Sequence, residues 1–416
     1  MKKAPSPLVS LIPIVVLVLL LFATIRTFGS DALSGGSQVS LLTTTAICIL
    51  IGMVFYKIPW KDYELAITNN IAGVATAIII LLIIGALSGI WMISGVVPTL
   101  IYYGMQIIHP SFFLASTCII CALISVMTGS SWTTIATIGI ALMGIGKAQG
   151  FEDGWIAGAI ISGAYFGDKI SPLSETTILA SSITDTPLFR HIRYMMITTV
   201  PSLIITLIIF TVAGLSHDAS NTQHIAEVAT ALNEKFHITP WLLIVPVATG
   251  ILIARKVPSI VTLFLSTLLA GVFALIFQPE LLQEISGVAV SGFDSLFKGL
   301  MMTVYGATNL HTDNAVLTDL IATRGMAGMM NTIWLILCAM CFGGAMTASG
   351  MLGSITSIFV RFMKKTVSVV GATVCSGLFL NLTTADQYIS IILTGNMFRD
   401  IYAKKGYESC LLSRTT

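Results

Sequence analysis

The residues best suited to chemistry lie between Gly163 and Ser182, in the sequence GAYFGDKISPLSETTILASS. Two carboxylates and an ammonium group stand there among hydroxyl side chains: Asp168, Lys169, Ser171, Ser174, Glu175, Thr176 and Thr177. Carboxylate, hydroxyl and backbone carbonyl oxygens are the ligands that hard cations such as sodium prefer. A carboxylate can also take a proton. This set of residues could therefore hold a sodium ion and a proton in turn.

Pro172 should interrupt the helix that carries these residues. A proline removes a backbone donor and moves the preceding residue, here Ser171, away from helical angles. A charge at the centre of a bilayer costs about 2.5–3.5 kcal/mol on insertion scales, and irregular backbone at that depth must be packed in protein or line a cavity. We expect a broken helix over residues 152–185, with Asp168 as the carboxylate of a midplane site.

Composition places this chain in a membrane. Its 416 residues have a mean hydropathy of +0.93, and 55% are hydrophobic. Only 10% are charged, against about a quarter in soluble domains. Long apolar runs predict an all-α polytopic protein with the lipid bilayer as its partner, and Leu8–Phe22 is expected to start the first membrane helix rather than a signal peptide. The net charge of +2 gives no indication of a nucleic-acid partner.

Two further segments lead to expectations of structure. Residues 57–70 are polar and are expected to lie at the surface, ahead of a membrane span over 71–93. Two CxxC spacings, Cys118/Cys121 and Cys338/Cys341, lie in apolar runs, so we expect these residues to pack between helices and not to hold zinc. No cofactor is expected.

Residues 110–147 form two apolar limbs around the polar tip Thr128-Gly129-Ser130-Ser131. Each limb is about 15–18 residues long, which is short for a membrane span. We expect a re-entrant hairpin whose tip lies inside the membrane; two ordinary helices joined by a short turn are the alternative. Ser130 and Ser131 could supply hydroxyl ligands, or they could simply cap a helix.

The chain contains a weak internal repeat at an offset of 255 positions, which places Ser94-Gly95 on Ser349-Gly350. The hairpin tip then falls on Thr383-Thr384-Ala385-Asp386. We expect a second hairpin over 366–405, with Thr383, Thr384 and Asp386 as further ligands. The predicted domains are a first repeat over 1–215, a connecting loop and linker helix over 216–256, and a second repeat over 257–416.

The positions of the basic residues favour inverted repeats. Lys57, Lys61, Arg190 and Arg193 fall on the same side as the N-terminus if 110–147 is a hairpin, and the basic residues at 361–365 then also fall inside. Adding the offset to Asp168 passes the last residue, Thr416. The second repeat is therefore expected to be truncated at its C-terminus, without its own broken helix.

The motifs FGDKISPLSETTILASS, TGSSWTTIATIGIALMGIG and TADQYISIILTGNMFRDIYAKKGYESCLLSRTT resemble the NhaC-type sodium/proton antiporter family, which includes malate/lactate antiporters. That family looks like a branch of the ion-transporter superfamily. The resemblance implies a multi-pass protein of the bacterial cytoplasmic membrane, with two hairpins and two broken helices in inverted repeats. Relatives often read SPLSDTTNLA where this chain has Glu175 and Ile178, which leaves the solute open. Relatives also continue beyond SRTT, which favours truncation.

These observations predict a secondary active transporter, a sodium/proton antiporter working by alternating access, and not an enzyme. Sodium would be held by four candidate side chains, Asp168, Glu175, Ser130 and Asp386. The alternative is a sodium- or proton-coupled exchanger of organic acids, of the malate/lactate type, or of amino acids, in which Lys169 would receive a substrate carboxylate. An intramembrane enzyme using Ser130 or Ser171 with Lys169 lacks any supporting motif. The oligomeric state stays open, with a homodimer as one option.

Overall fold

The computed structural model describes residues 5–216, 222–255, 257–290, 292–308, 310, 312, 318, 321–355, 366–384 and 387–416. Throughout these ranges the chain forms helices and turns, without a strand. Seven of the helices are long and apolar enough to cross a membrane, or up to eight if one bent pair counts as a span. The prediction of an all-α polytopic membrane protein is confirmed.

The helices follow one another along the chain with short connections. In order they are α1 (Pro7–Phe28), α2 (Gly36–Tyr56), α3 (Trp60–Ile93), α4 (Val96–Ile107), α5 (Phe113–Thr128), α6 (Ser131–Thr134), α7 (Ile140–Ala148), α8 (Asp153–Ile170), α9 (Glu175–Ile183), α10 (Leu188–Leu215), α11 (Thr222–Lys235), α12 (Ile244–Ala254), α13 (Ser259–Phe277), α14 (Pro279–Ser286), α15 (Phe293–Tyr305), α16 (Met330–Ala348), α17 (Thr366–Thr384), α18 (Gln387–Lys404) and α19 (Ser409–Thr415). Short 3₁₀ turns and one π-helical turn, Ile135–Gly139, complete the set.

Helix α3 corrects one expectation. The polar residues expected to lie apart at the surface belong, from Trp60 onward, to a continuous helix of 34 residues. Such a helix is about 51 Å long, against about 30 Å for the hydrocarbon core of a bilayer. Its first turns carry Lys61, Asp62 and Glu64 in a stretch without proline or glycine, so nothing in the local sequence ends the helix before the apolar run begins.

Two segments that the sequence left uncertain as spans are short helices. Helix α12 has 11 residues and α15 has 13, and both are well below the roughly 20 residues that a span needs. The axis turns by 91° between Glu227–Lys235 and Pro240–Ala254. Residues 216–256, predicted as a connecting loop and linker helix, thus contain α11 and α12; the predicted domain boundaries stay predictions.

The chain folds into two compact units. The first comprises Met1–Ile78, Ile178–Tyr194 and Met330–Thr416, and its core gathers buried side chains such as Cys48, Tyr63 and Phe342. The second unit comprises Ile79–Thr177 and Met195–Met329. Its core is built from residues of α3, α4, α5, α7 and α8, among them Trp91, Ile101, Phe113, Ile145 and Ile160. The residues 163–177, where the chemistry is concentrated, lie in the second unit.

Within the second unit, α8 packs very closely along α5. A Cβ atom at Gly167 would stand 2.5 Å from the carbonyl oxygen of Ala122 and 2.7 Å from the backbone nitrogen of Val126. Ser125 donates a hydrogen bond of 2.5 Å to the carbonyl oxygen of Ala164. Gly163 and Gly167 form the small-xxx-small spacing that lets membrane helices approach each other. This contact fixes the first limb of the 110–147 segment against the helix that carries Asp168.

Candidate functional site

The helix that carries the candidate ligands is interrupted at Pro172. Helix α8 ends at Ile170, and Ser171 takes extended angles (φ −76°, ψ 130°), as expected for a residue before proline. Helix α9 begins at Glu175, and the hydroxyl of Ser174 accepts a hydrogen bond of 3.4 Å from the backbone nitrogen of Thr177. Residues 171–174 therefore separate two helical segments, and Ser174 caps the second of them.

Thr177 joins the two helical segments across this interruption. Its hydroxyl lies 3.1 Å from the carbonyl oxygen of Asp168 and 3.3 Å from that of Lys169, so it can donate to either. The last carbonyl groups of a helix have no partner within the helix, and a hydroxyl in the next segment can satisfy them. Sequence reasoning did not name Thr177 as a site residue. The signal was its place in the first turn after a predicted break.

Asp168 lies in the last turn of α8, and only 5% of it is exposed. Ser131, the first residue of α6, donates a hydrogen bond of 3.4 Å from Oγ to Oδ2 of Asp168. The hydroxyl of Ser174 faces the same carboxylate. Three separate pieces of chain thus converge on one buried carboxylate: the end of α8, the interruption after it, and the tip of the 110–147 segment.

The tip of the 110–147 segment packs directly on the interruption. Gly129 takes a left-handed conformation (φ +67°), and a Cβ atom there would lie 2.7 Å from the carbonyl carbon of Leu173. Both the angle and the close approach require glycine. Ser130 caps α6 by accepting a hydrogen bond of 3.2 Å from the nitrogen of Thr133. Of the two tip serines, Ser130 therefore serves the helix and Ser131 reaches the carboxylate.

A π-helical turn, Ile135–Gly139, follows the tip at once. Within it, Thr137 donates to the carbonyl oxygen of Thr133 at 2.8 Å, and a Cβ atom at Gly139 would lie 3.0 Å from the side chain of Ile160 on α8. Such turns are often found at functional sites. Sequence reasoning missed this one, because neither residue type nor hydrophobic spacing distinguishes a π turn from an α turn.

The remaining predicted ligands of this segment are placed unequally. Ser171 is buried and donates to the carbonyl oxygen of Val126 at 2.8 Å, while Thr176 is buried with its hydroxyl 3.0 Å from that of Ser174. Lys169 is half-buried, and Glu175 is exposed as the first residue of α9. The structure thus brings Ser131, Ser174 and Thr176 around Asp168 and leaves Glu175 outside the buried group.

The second predicted tip cannot be described in the same way. Thr383 and Thr384 are the last residues of α17, but their side chains lie outside the described part of the chain. Asp386 lies wholly outside the described residues. Their proposed role as ligands stays a prediction.

A polytopic helical protein with a buried carboxylate beside a helix interruption is the arrangement of a secondary transporter. Comparison with known families agrees with this class. The sequence model of the Na+/H+ antiporter family matches residues 5–181 and 163–416, and the chain belongs to that family. It is a multi-pass protein of the bacterial cell membrane.

Similar proteins cover most of the chain. The Na(+)/H(+) antiporter NhaC of Alkalihalophilus pseudofirmus is 37% identical over 89% of this chain and 78% of its own length. The Na(+)/H(+) antiporter NhaC of Bacillus subtilis is 35% identical over 90% of this chain and 80% of its own length. The malate-2H(+)/Na(+)-lactate antiporter of Bacillus subtilis is also 35% identical, over 91% of this chain and 78% of its own length. The resemblance stated from the sequence motifs is confirmed, as is the antiporter class.

Proposed function

We propose that this chain exchanges sodium ions for protons and that Asp168 is the group that holds one or the other. The observation that carries the proposal is the hydrogen bond from Ser131 to a buried carboxylate at a helix interruption. Four oxygen-bearing groups lie around that position: the Asp168 carboxylate, the hydroxyls of Ser131 and Ser174, and the carbonyl oxygens at the end of α8. They are the ligand types that sodium prefers.

Coupling follows from the cost of burying an unpaired charge. A carboxylate that is removed from water and left without a partner is strongly disfavoured. A proton neutralises it, and so does a sodium ion, but the two cannot occupy the same oxygens together. The site therefore crosses the membrane barrier in one of two neutral forms. When it is offered alternately to the two sides, it exchanges sodium for protons without any cofactor.

The proposal is for a transporter and not for an enzyme, because the similar proteins are antiporters and the grouped side chains suit ion binding. Ser131, the tip serine nearest the carboxylate, donates its proton to Asp168 and is not activated by a base. A nucleophilic serine would need the reverse arrangement, in which a base accepts the hydroxyl proton.

A second candidate function is the exchange of an organic acid or amino acid against sodium or protons. Two observations favour keeping it: Lys169 stands beside Asp168, and one similar protein is a malate/lactate antiporter. Lys169 would receive the substrate carboxylate. Malate, lactate and amino acids, added one at a time to proteoliposomes, separate the candidates, because only the second function makes sodium flux depend on the added solute.

The decisive experiment replaces Asp168 with asparagine, which keeps the shape but cannot lose a proton. In inside-out vesicles with an imposed pH difference, Asp168→Asn should abolish sodium-dependent proton movement at normal expression. Asp153→Asn is the matched control, because Asp153 lies on the same helix in an exposed ion pair with Lys147 at 3.2 Å. Exchange at the normal rate in Asp168→Asn would remove Asp168 from the mechanism.

A further inference from the structure

A buried group of sulfur atoms lies in the first unit, far in sequence from Asp168. The Sγ atom of Cys48, on α2, stands 3.7 Å from the Sδ atom of Met346 and 3.7 Å from that of Met351. Met346 lies near the end of α16, and Met351 begins the helical segment 351–355. All three side chains are fully buried. One thiol and two thioethers from three helical segments therefore meet at one point.

The spacing of these atoms suits a shared metal ion. A metal–sulfur bond in proteins is about 2.3 Å long, so two sulfurs on one metal in a trigonal plane stand about 4 Å apart. The two measured sulfur–sulfur distances of 3.7 Å are close to that value. A small outward movement of the thioethers would admit the ion, and methionine side chains are flexible enough to make it.

The donor set selects the kind of metal. Thiolate and thioether sulfurs prefer soft monovalent ions such as Cu(I), whereas sodium prefers oxygen. On binding, the S–H bond of Cys48 breaks, a sulfur–metal bond forms, and the proton leaves to water. One thiolate and one monovalent cation then add up to a neutral centre. That is the charge state that a fully buried apolar site tolerates, since an unpaired buried charge would be costly.

The surroundings of the sulfur group also suit a metal site. The hydroxyl of Ser349 lies 3.8 Å from the Cys48 sulfur, where it can donate to a thiolate. Outer hydrogen bonds of this kind commonly support metal ligands. The neighbouring Gly350, at the turn between Met346 and Met351, is exposed (φ +71°). An ion from water would therefore have to pass only this turn to reach the sulfurs.

We propose that Cys48, Met346 and Met351 form a binding site for one soft monovalent metal ion, of the Cu(I) or Ag(I) type. The site is separate from the proposed exchange of sodium for protons. A bound ion would tie α2 to the end of α16 and to the segment 351–355.

Silver is the probe, because it is monovalent and needs no reductant. The purified full chain is mixed with Ag+ in the presence of glutathione, which removes silver from single thiols, and retained silver per protein is counted by elemental mass spectrometry. The unaltered protein should retain one silver ion more than Cys48→Ser. Met346→Leu should bind that ion more weakly by at least the 10- to 100-fold that changes outside the ligand shell cost.

Met340→Leu is the matched control. Met340 is as deeply buried on the same helix, and it is not one of the sulfurs described in contact with Cys48. It should retain silver like the unaltered chain, and Ag+ should raise the thermal unfolding midpoint of both. Equal silver binding by Met346→Leu and Met340→Leu would overturn the proposal, as would full retention by Cys48→Ser. Met351→Leu gives an independent third test if Met346→Leu does not fold.

Discussion

Residues 90–95 and 345–350 close their helices in the same way, although few side chains agree. Ser94 donates to the carbonyl oxygen of Trp91 at 3.3 Å, and Ser349 donates to that of Met346 at 3.0 Å. Each serine precedes a glycine in the left-handed region, Gly95 at φ +84° and Gly350 at φ +71°. These positions keep the offset of 255 found in the sequence, so the backbone plan is repeated where the side chains are not.

Past the two tips the offset becomes 256. Helix α6 begins at Ser131 and α18 at Gln387. The later turns agree with this shift: Phe151 donates to the carbonyl of Gly146 at 3.0 Å, and Tyr407 donates to that of Tyr402 at 3.0 Å. The N-cap residue of α8, Glu152 (φ −66°, ψ 141°), matches that of α19, Glu408 (φ −67°, ψ 141°).

The extra residue in the second tip changes which residues correspond. Counted from the helix starts, Asp386 takes the sequence position of Ser130, and not that of Ser131 as a constant offset predicts. In the first region a tip hydroxyl meets a carboxylate carried by a helix; in the second the acid stands in the tip sequence itself. The comparison teaches that a repeated backbone can carry two different distributions of charge.

The largest expected effect tests how tightly the first region is packed. Gly167→Ala puts a methyl group 2.5 Å from the Ala122 carbonyl oxygen and from the Ser125 Cβ, so α5 and α8 must move apart. Overpacking of this kind costs about 1–3 kcal/mol. We expect a clear fall in the thermal unfolding midpoint of the protein in detergent.

The second region supplies the control for that change. A Cβ atom at Gly371, within α17, meets nothing within 4 Å, and alanine is the better helix former by about 0.5–1 kcal/mol. Gly371→Ala should leave the midpoint unchanged or raise it. If both variants fell equally, close packing would not distinguish the two regions.

An intermediate effect is expected at the first tip. Ser131→Ala removes the hydrogen bond to Asp168, and bonds to a charged group are worth about 1.5–3 kcal/mol. The sodium concentration for half-maximal exchange should rise about tenfold or more. Ser130→Ala removes only the cap of α6 and should shift that concentration much less. The reverse order of effects would exchange the roles of the two serines.

The smallest effect should appear at the matched N-caps. A hydrogen bond from Cys410 at 3.1 Å and the guanidinium of Arg190 at 2.9 Å hold the pKa of Glu408 below its ordinary value. A lowered carboxyl pKa stabilises the fold above the ordinary pKa, and the contribution is lost as the pH falls through the folded value. Glu408 is fully exposed, so the contribution is small.

Unfolding midpoints measured across pH test this contribution. Glu408→Gln should lie slightly below the unaltered protein at neutral pH, and the gap should close in acid. Glu152→Gln, at the matching N-cap of the first region, is the control. A gap for Glu408→Gln that persists at the lowest pH would mean that its charge is not responsible.

The sequence predicted the parts of the site that depend on backbone chemistry. Pro172 cannot continue a helix, and acids in an apolar segment need shelter, so the interruption and the importance of Asp168 could be argued from residue types alone. Hydrophobic runs likewise predicted the helical membrane fold. The unbroken course of α3 was missed, because polarity was read as an end to the helix although no residue there breaks one.

The details within the site depend on tertiary packing, which residue types do not encode. Ser130 and Ser131 are adjacent and chemically identical, and only the way the tip lies on Leu173 decides which one reaches Asp168. The π turn after the tip and the role of Thr177 likewise depend on neighbours brought close by the fold. Glycine spacing was the one available signal that was not used, since Gly163 and Gly167 mark the close approach of α5.

Thr177 has a consequence for the ion site that follows from valence. A hydroxyl carries a single hydrogen, while this one stands within reach of two carbonyl groups, those of Asp168 and Lys169. At any instant one of those two oxygens keeps a full set of unshared electrons directed into the break. An arriving cation would find this oxygen already in position, before any side chain has moved.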